Sequence, residues 1–475
     1  MRGRQWWDEL ICILCLGIGT TCVMTGYDTQ SFIVESVLHS VHLRQPTAID
    51  GHAGYYGQAV LYAVYALATL FAPWVCLRIG AKWSLFSGSL LFTAYQLGFF
   101  YLNSYYFYLT QALMGIGFAL YYAGQGLYMS EHSSRSTLTR NSTLVSAIGQ
   151  SSMLFGGIAL AIISYVRQMS TTDSEKTADL TDDGYRNFSN GEIHVIYGVL
   201  LGFTVLSNII FALTPTKATS DAKMDAVEKT TLRTQLGHLF NAAREPRIFL
   251  LSFFFIFYGL HVSFWLGAYP TSFAFSKILS ANVYLPAYYS AMTGVGNIIV
   301  GVYISFFDKR YPNFGLIPTM ITQLVLGTIT FGITIASTSN LSTIQTNDDR
   351  SMWIEPSTFI CCMLGILHGM IDCCSCTMRA VICTIAVPRM RLQVYSLAKL
   401  YQSAASCAAF FFSPYLTVRL WIAILIGSQM LSALGFICVA SQVTKGEHQE
   451  EKQTAKDAKI HPAEIGSISN NIATQ

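Results

Sequence analysis

The chain has 475 residues, 52% of them AVILMFWYC types and 12% charged, against roughly a quarter charged in an ordinary soluble domain. A water-soluble globule of this length needs a polar surface that 29 Lys+Arg and 26 Asp+Glu cannot cover, so the apolar residues must face lipid. A net charge of +3 without a dense basic face excludes a nucleic-acid partner, because counterion release needs many Lys or Arg on one surface.

Runs of about 20 mostly apolar residues, enough to cross about 30 Å of hydrocarbon, recur along the chain. They fall at 10–32, 55–77, 83–101, 106–129, 142–166, 193–213, 248–269, 287–307, 315–337, 357–378, 395–416 and 419–441. Arg2 and Arg4 precede the first run, which lacks a small-residue cleavage site and reads as a spanning helix rather than a signal peptide. The sequence therefore predicts an all-α membrane protein with twelve transmembrane helices. All twelve cysteines lie in or at the edge of apolar runs, so no loop disulfide is expected.

Positive charge sets the orientation. With both termini cytoplasmic, 21 Lys and Arg fall on the cytoplasmic side and seven on the other, with Lys399 alone inside a span. The sequons at Asn187 and Asn340 then lie outside, where glycans are added, and the one at Asn141 lies inside. The twelve spans divide into two six-helix halves, 1–213 and 248–441, joined by a polar cytoplasmic linker over 214–247. The acidic stretch Thr171 to Asp183 reads as a mobile loop, and 442–475 as a disordered cytoplasmic tail. Six plus six with a long linker is the architecture of the major facilitator fold.

The loop after span two reads Pro73-Trp-Val-Cys-Leu77-Arg78-Ile-Gly80-Ala-Lys82. Arg78, Gly80 and Lys82 fit the Gly-x-x-x-Asp-Arg-x-Gly-Arg-Lys-like motif of the facilitator superfamily. Pro73 replaces its first glycine, and Leu77 replaces the acid that would anchor an inner gate. In the second half Asp308-Lys309-Arg310 keeps an acid at the equivalent loop.

Four further stretches occur in order: Tyr56-Gly-Gln-Ala-Val-Leu-Tyr62 with Pro73; Gly115-Ile-Gly-Phe-Ala-Leu-Tyr-Tyr-Ala-Gly-Gln-Gly126; Arg140-Asn-Ser142 with Gln150-Ser-Ser152 and Gly156; and Gly369-Met-Ile-Asp372. Together they resemble the UNC-type (uncoordinated) ion channel regulatory family, an atypical branch of the major facilitator superfamily. The chain departs from the family pattern after Asp372, where Cys373-Cys374-Ser375-Cys376-Thr377-Met378 replaces a more usual Asn-Thr-Gln stretch. The resemblance implies a transporter-like membrane protein that regulates another membrane protein such as an ion channel or receptor, or an orphan carrier.

Ionisable groups inside a span are costly and usually face a cavity. At 1.5 Å per residue, His261 lies roughly 20 Å into span seven and His368 roughly 16 Å into span ten, both near the midplane. His368 and Asp372 share a helix face, and Lys399, entering span eleven from the cytoplasmic side, is expected to pair with Asp372. In the facilitator fold spans one, four, seven and ten line the cavity, and they carry Asp28, Gln111, Gln125, His261, His368 and Asp372. The alternative is structural: membrane histidines often serve as interhelical hydrogen bonders, and an Asp372–Lys399 pair would lock a closed state.

Cys373, Cys374 and Cys376 diverge around a helix and form no tetrahedral metal set, though their place near the cytoplasmic boundary would suit palmitoylation. The Gly115 pattern has no preceding strand and is a helix-packing device rather than a nucleotide loop. No catalytic set, metal or cofactor is expected. Two readings remain: a regulator bound to another membrane protein through its lipid-facing surface, and a proton-coupled carrier holding a small solute in a midplane polar cavity.

Overall fold

The computed structural model describes residues 2–133, 137–170, 187–216, 231–308, 310–311, 314–349 and 351–460. The amino-terminal half contains α1 (Arg2–Ser31), α2 (Val34–Arg44), α3 (Ala53–Thr69), α4 (Ala72–Ile79), α5 (Ala81–Leu97), α6 (Ser104–His132), α7 (Leu138–Gln150), α8 (Ser152–Ser170) and α9 (Asn190–Leu213). A short α10 (Leu232–Ala243) lies in the linker region. The other half contains α11 (Pro246–Ser263), a π turn at Phe264–Ala268, α12 (Tyr269–Phe275), α13 (Leu285–Asp308), α14 (Ile317–Ser337), α15 (Thr358–Ile385), α16 (Arg391–Phe412) and α17 (Val418–Ile460).

Helix ends follow local chemistry. Asn103 accepts from the N–H groups of Tyr105 and Tyr106, Ser189 from that of Glu192, and Ser357 from that of Ile360, satisfying donors left free in a first turn. Pro73, Pro246, Pro270 and Pro318 each stand in a first turn, where the missing N–H costs nothing. Pro73 also separates α3 from α4, which meet at a 66° bend. Before Pro270 the π turn interrupts the ladder, and the Trp265 carbonyl accepts from Tyr289 Oη at 3.0 Å.

Helices run at all twelve expected span positions. Among the described residues, eight are long and apolar enough to cross a membrane, and nine if α3 and α4 form one bent span. The other three are α5, with 17 residues, the Tyr- and Gly-rich α6, and α16, which carries Lys399, Gln402, Ser403 and Ser406. Large apolar side chains such as Leu67, Phe249, Val302 and Leu434 remain exposed around the bundle, as a lipid-facing surface requires.

Helix α17 continues unbroken to Ile460, into the stretch expected to be a disordered tail. Residues 446–460 are mostly Glu, Gln, Lys and Ala, strong helix formers that extend an already nucleated helix. Residues 461–475, the stretch Thr171 to Asp183, and Lys309 lie outside the described residues.

The halves meet along two seams. On one, Ser290 Oγ of α13 donates to the Met153 carbonyl of α8 at 2.9 Å. On the other, the Tyr62 ring of α3 stacks on Phe410 of α16 at 5.6 Å. At the end carrying Asn187 and Asn340, hereafter the sequon end, Tyr55 Oη donates to the Thr343 carbonyl of the opposite half at 2.8 Å. The Gly115 stretch behaves as a packing device: a Cβ at Gly115 would stand 2.5 Å from the Leu61 carbonyl oxygen of α3.

Candidate functional site

The two midplane histidines meet. His261 Nε2 of α11 and His368 Nδ1 of α15 are 3.2 Å apart, and both residues are fully buried. One ring donates and the other accepts, while His261 Nδ1 and His368 Nε2 have no hydrogen-bond partner among the described residues. Phe257 stacks on His261 at 5.8 Å, with Phe331 at its edge, and Phe264 and Tyr269 flank His368. The pair therefore sits in an aromatic box within the second half.

Charged groups gather closer to the boundary between the halves. Asp28 of α1 accepts from Ser152 Oγ at 2.9 Å and lies within electrostatic reach of Asp372 on α15. Asp372 in turn faces Tyr258, Arg379 and Lys399. The expected contact between Asp372 and Lys399 is not made: among the described residues Lys399 enters no ion pair within 4.0 Å. Its Nζ rests instead 4.1 Å from the centre of the Tyr122 ring on α6, across the boundary. An ammonium needs only an electron-rich ring face to be stabilised there, so the long side chain reaches past its own half.

Arg379 belongs to this cluster, although the sequence places it in a loop. It lies on α15 two turns beyond Asp372, donates to Gln402 Oε1 at 2.6 Å and Cys376 Sγ at 3.7 Å, and covers the Tyr258 ring at 4.9 Å. The seven-residue spacing between Asp372 and Arg379, which returns to the same helix face, is the signal that would have found it. Asp28, Tyr122, Cys376, Arg379 and Lys399 are each only half-buried.

The remaining candidates stand elsewhere. Gln111 is fully buried with neither amide atom paired among the described residues, and it packs by Gly57 of α3. Gln125 donates to Tyr121 Oη at 3.2 Å and to Thr20 Oγ1 at 3.5 Å, tying α6 to α1. In the motif loop Arg78 covers the Trp74 ring and Lys82 approaches Trp83. Gly80 joins α4 to α5 at φ 87° and ψ 157°, a conformation essentially restricted to glycine. Asn187 Oδ1 accepts from Arg44 at 2.7 Å, and Asn340 Oδ1 accepts from the Arg419 N–H. Asn141 is buried, with its Nδ2 donating to Glu9 and Ser133.

Sequence reasoning also missed the latch at the sequon end, because α2 reads as a loop. Glu35 of α2 is buried; its Oε1 lies 3.1 Å from His52 Nδ1 and its Oε2 accepts the Tyr55 N–H at 2.9 Å. Tyr55 is the residue that reaches Thr343 in the other half. The hydrogen bond to Glu35 raises His52 above the usual imidazole value; desolvation opposes the rise and the Glu35 charge adds to it. A raised folded value means that the pair stabilises fully below about pH 6.5 and loses its effect as pH climbs through that raised value. The melting temperature of the purified protein should thus fall as pH rises above about 6.5, and the fall should be smaller in His52→Gln. Equal slopes would show that the pair contributes nothing.

The family model described as ion channel regulatory protein UNC-93 matches residues 45–438. The UNC93-like proteins MFSD11 of Xenopus tropicalis and Xenopus laevis are each 24% identical over 455 residues, covering 92% of this chain and 97% of theirs. Among solved structures, the peptide transporter POT in complex with sulfate superimposes with a TM-score of 0.62 at 12% identity, covering 91% of this chain and 94% of that one. The major facilitator transporter FucP in its outward conformation gives 0.56 at 12% identity, over 91% and 99%. At such identities these likenesses show the fold alone. Matched by its family model over most of its length, the chain belongs to the UNC-93 family and is a multi-pass membrane protein of the major facilitator fold.

Proposed function

We propose that the protein is a carrier for a small polar solute held between its two halves. The observation that supports this best is the set Asp28, Asp372, Arg379 and Lys399, drawn from α1, α15 and α16 to one region at the boundary of the halves. Four ionisable groups inside a bundle are costly unless they serve a passage or a bound solute, and facilitator-type proteins bind at the junction of their halves. Uptake by the purified protein in liposomes over a solute panel tests the reading. Saturable flux that disappears in Asp372→Asn is the expected result; no flux for any solute by a folded protein overturns it.

A second reading, regulation of another membrane protein such as an ion channel, draws on the family description and on Leu77, which stands where a transporter gate would have an acid. It expects a stable complex with a channel or receptor that survives Asp372→Asn but is lost when bulky groups are placed on lipid-facing helix surfaces. Co-purification from cells beside the liposome assay separates the two.

Both readings place the termini and the linker in the cytoplasm, which the Lys and Arg bias supports. Asn187 and Asn340 should then carry glycans and Asn141 none. Endoglycosidase shifts in single Asn→Gln variants check this; a glycan on Asn141 would reverse the orientation.

A further inference from the structure

The charged cluster brings together two carboxylates and two cations. Asp28 and Asp372 lie within reach of each other. Arg379 and Lys399 also lie within reach of each other, with Arg379 two turns, or about 10 Å, further along α15 than Asp372. Neither cation has a carboxylate within 4.0 Å among the described residues. Arg379 is met by the neutral Gln402 amide, the Cys376 sulfur and the Tyr258 ring, and Lys399 by the Tyr122 ring. Asp28 has a serine hydroxyl.

Two like-charged pairs side by side are unfavourable within each pair, and a direct Asp372–Lys399 contact would relieve both. The fold instead holds the cations on aromatic faces, which stabilise a cation without neutralising it. Among the described residues no group of either pair therefore has a counter-charge in contact, although Asp372 lies within longer-range reach of both cations. Partial exposure of Asp28, Arg379 and Lys399 leaves surface on both pairs for a solute to touch. Resting on the carrier reading, we propose that the site takes a zwitterionic solute, with its ammonium toward Asp28 and Asp372 and its acidic group toward Arg379 and Lys399. Such a molecule puts a counter-charge in contact with the carboxylates and with the cations and brings no net charge into the bundle, whereas a simple anion or cation serves one sign only.

Three probes on one skeleton test this: 6-aminohexanoate, hexanoate and hexylamine, each assayed with the full-length protein for thermal stabilisation and for uptake into liposomes. The zwitterion should bind at least about tenfold more tightly than either single-charge analogue. Asp372→Asn should erase its advantage over hexanoate, and Lys399→Gln its advantage over hexylamine. The comparison on unaltered protein stands if a variant fails to fold. Hexanoate or hexylamine binding as well as the zwitterion, with saturable uptake, overturns the zwitterion assignment and leaves the carrier reading standing. No stabilisation and no uptake with any probe, by protein that melts cooperatively, overturns the assignment; extending that failure to the full solute panel overturns the carrier reading too.

Discussion

Gly369→Ala should prevent most of the protein from accumulating in a folded form. A Cβ at Gly369 of α15 would stand 2.1 Å from the Thr293 carbonyl oxygen and 2.9 Å from its carbon, and a Cβ at Gly296 of α13 would stand 2.0 Å from the Ile366 carbonyl oxygen. The two helices thus touch backbone to backbone at reciprocal positions. No rotamer change relieves such a clash, so α13 or α15 must move bodily, and α13 also carries Ser290, which binds the other half. The cost should reach or exceed the roughly 3 kcal/mol upper end of ordinary overpacking. Gly332→Ala on α14 is the matched control, with nothing within 4 Å of the added carbon. The monodisperse fraction after detergent extraction measures both; equal behaviour of the two variants would refute the close approach.

The second large effect belongs to the histidine pair. His261→Leu leaves His368 Nδ1 without its partner in an aromatic box, and an unpaired buried polar group costs about 1–3 kcal/mol. His368→Leu should cost a similar amount for the reciprocal reason. The double variant should be more stable than the sum of the single losses implies, because no orphaned nitrogen remains. Melting temperatures of the four proteins give the coupling, and additive losses would show that the rings do not bond. If solute uptake is found, the double variant also decides whether the pair couples it to protons. Uptake that keeps its pH dependence without either imidazole assigns the pair to structure alone; uptake that loses it makes the pair a coupling group.

The sequence reveals this pair through depth. Counting residues from opposite membrane faces brings His261 and His368 to one level, and rise per residue is the best-determined property of a helix. Rotation about the axis is harder to read. Lys399 lies at a depth suited to Asp372, yet its side chain turns to Tyr122, because which neighbour a helix face meets depends on packing that one-dimensional spacing does not encode. Gln111 fails for the same reason: it lies on a cavity helix but packs against α3. Arg379 is hidden by the assumption that a charge ends a span, whereas α15 carries it on to Ile385. Glu35 and His52 lie beyond the apolar runs, so hydropathy gives them no weight. The two-half architecture, by contrast, rests on the long polar linker and the ordering of apolar segments, which survive small errors at helix ends.

The seams between the halves have a further property that concerns inheritance rather than energy. Tyr55 and Ser290 both donate across the boundary to main-chain oxygens, those of Thr343 and Met153. Every amino acid brings the same carbonyl, so exchanges at Thr343 or Met153 leave the acceptor in place. Only the donor positions can lose these bonds by changing side chain. Mutational drift can therefore rewrite the receiving side of each seam while the halves continue to recognise one another, and a search for covarying residue pairs across the boundary would find little at these two contacts.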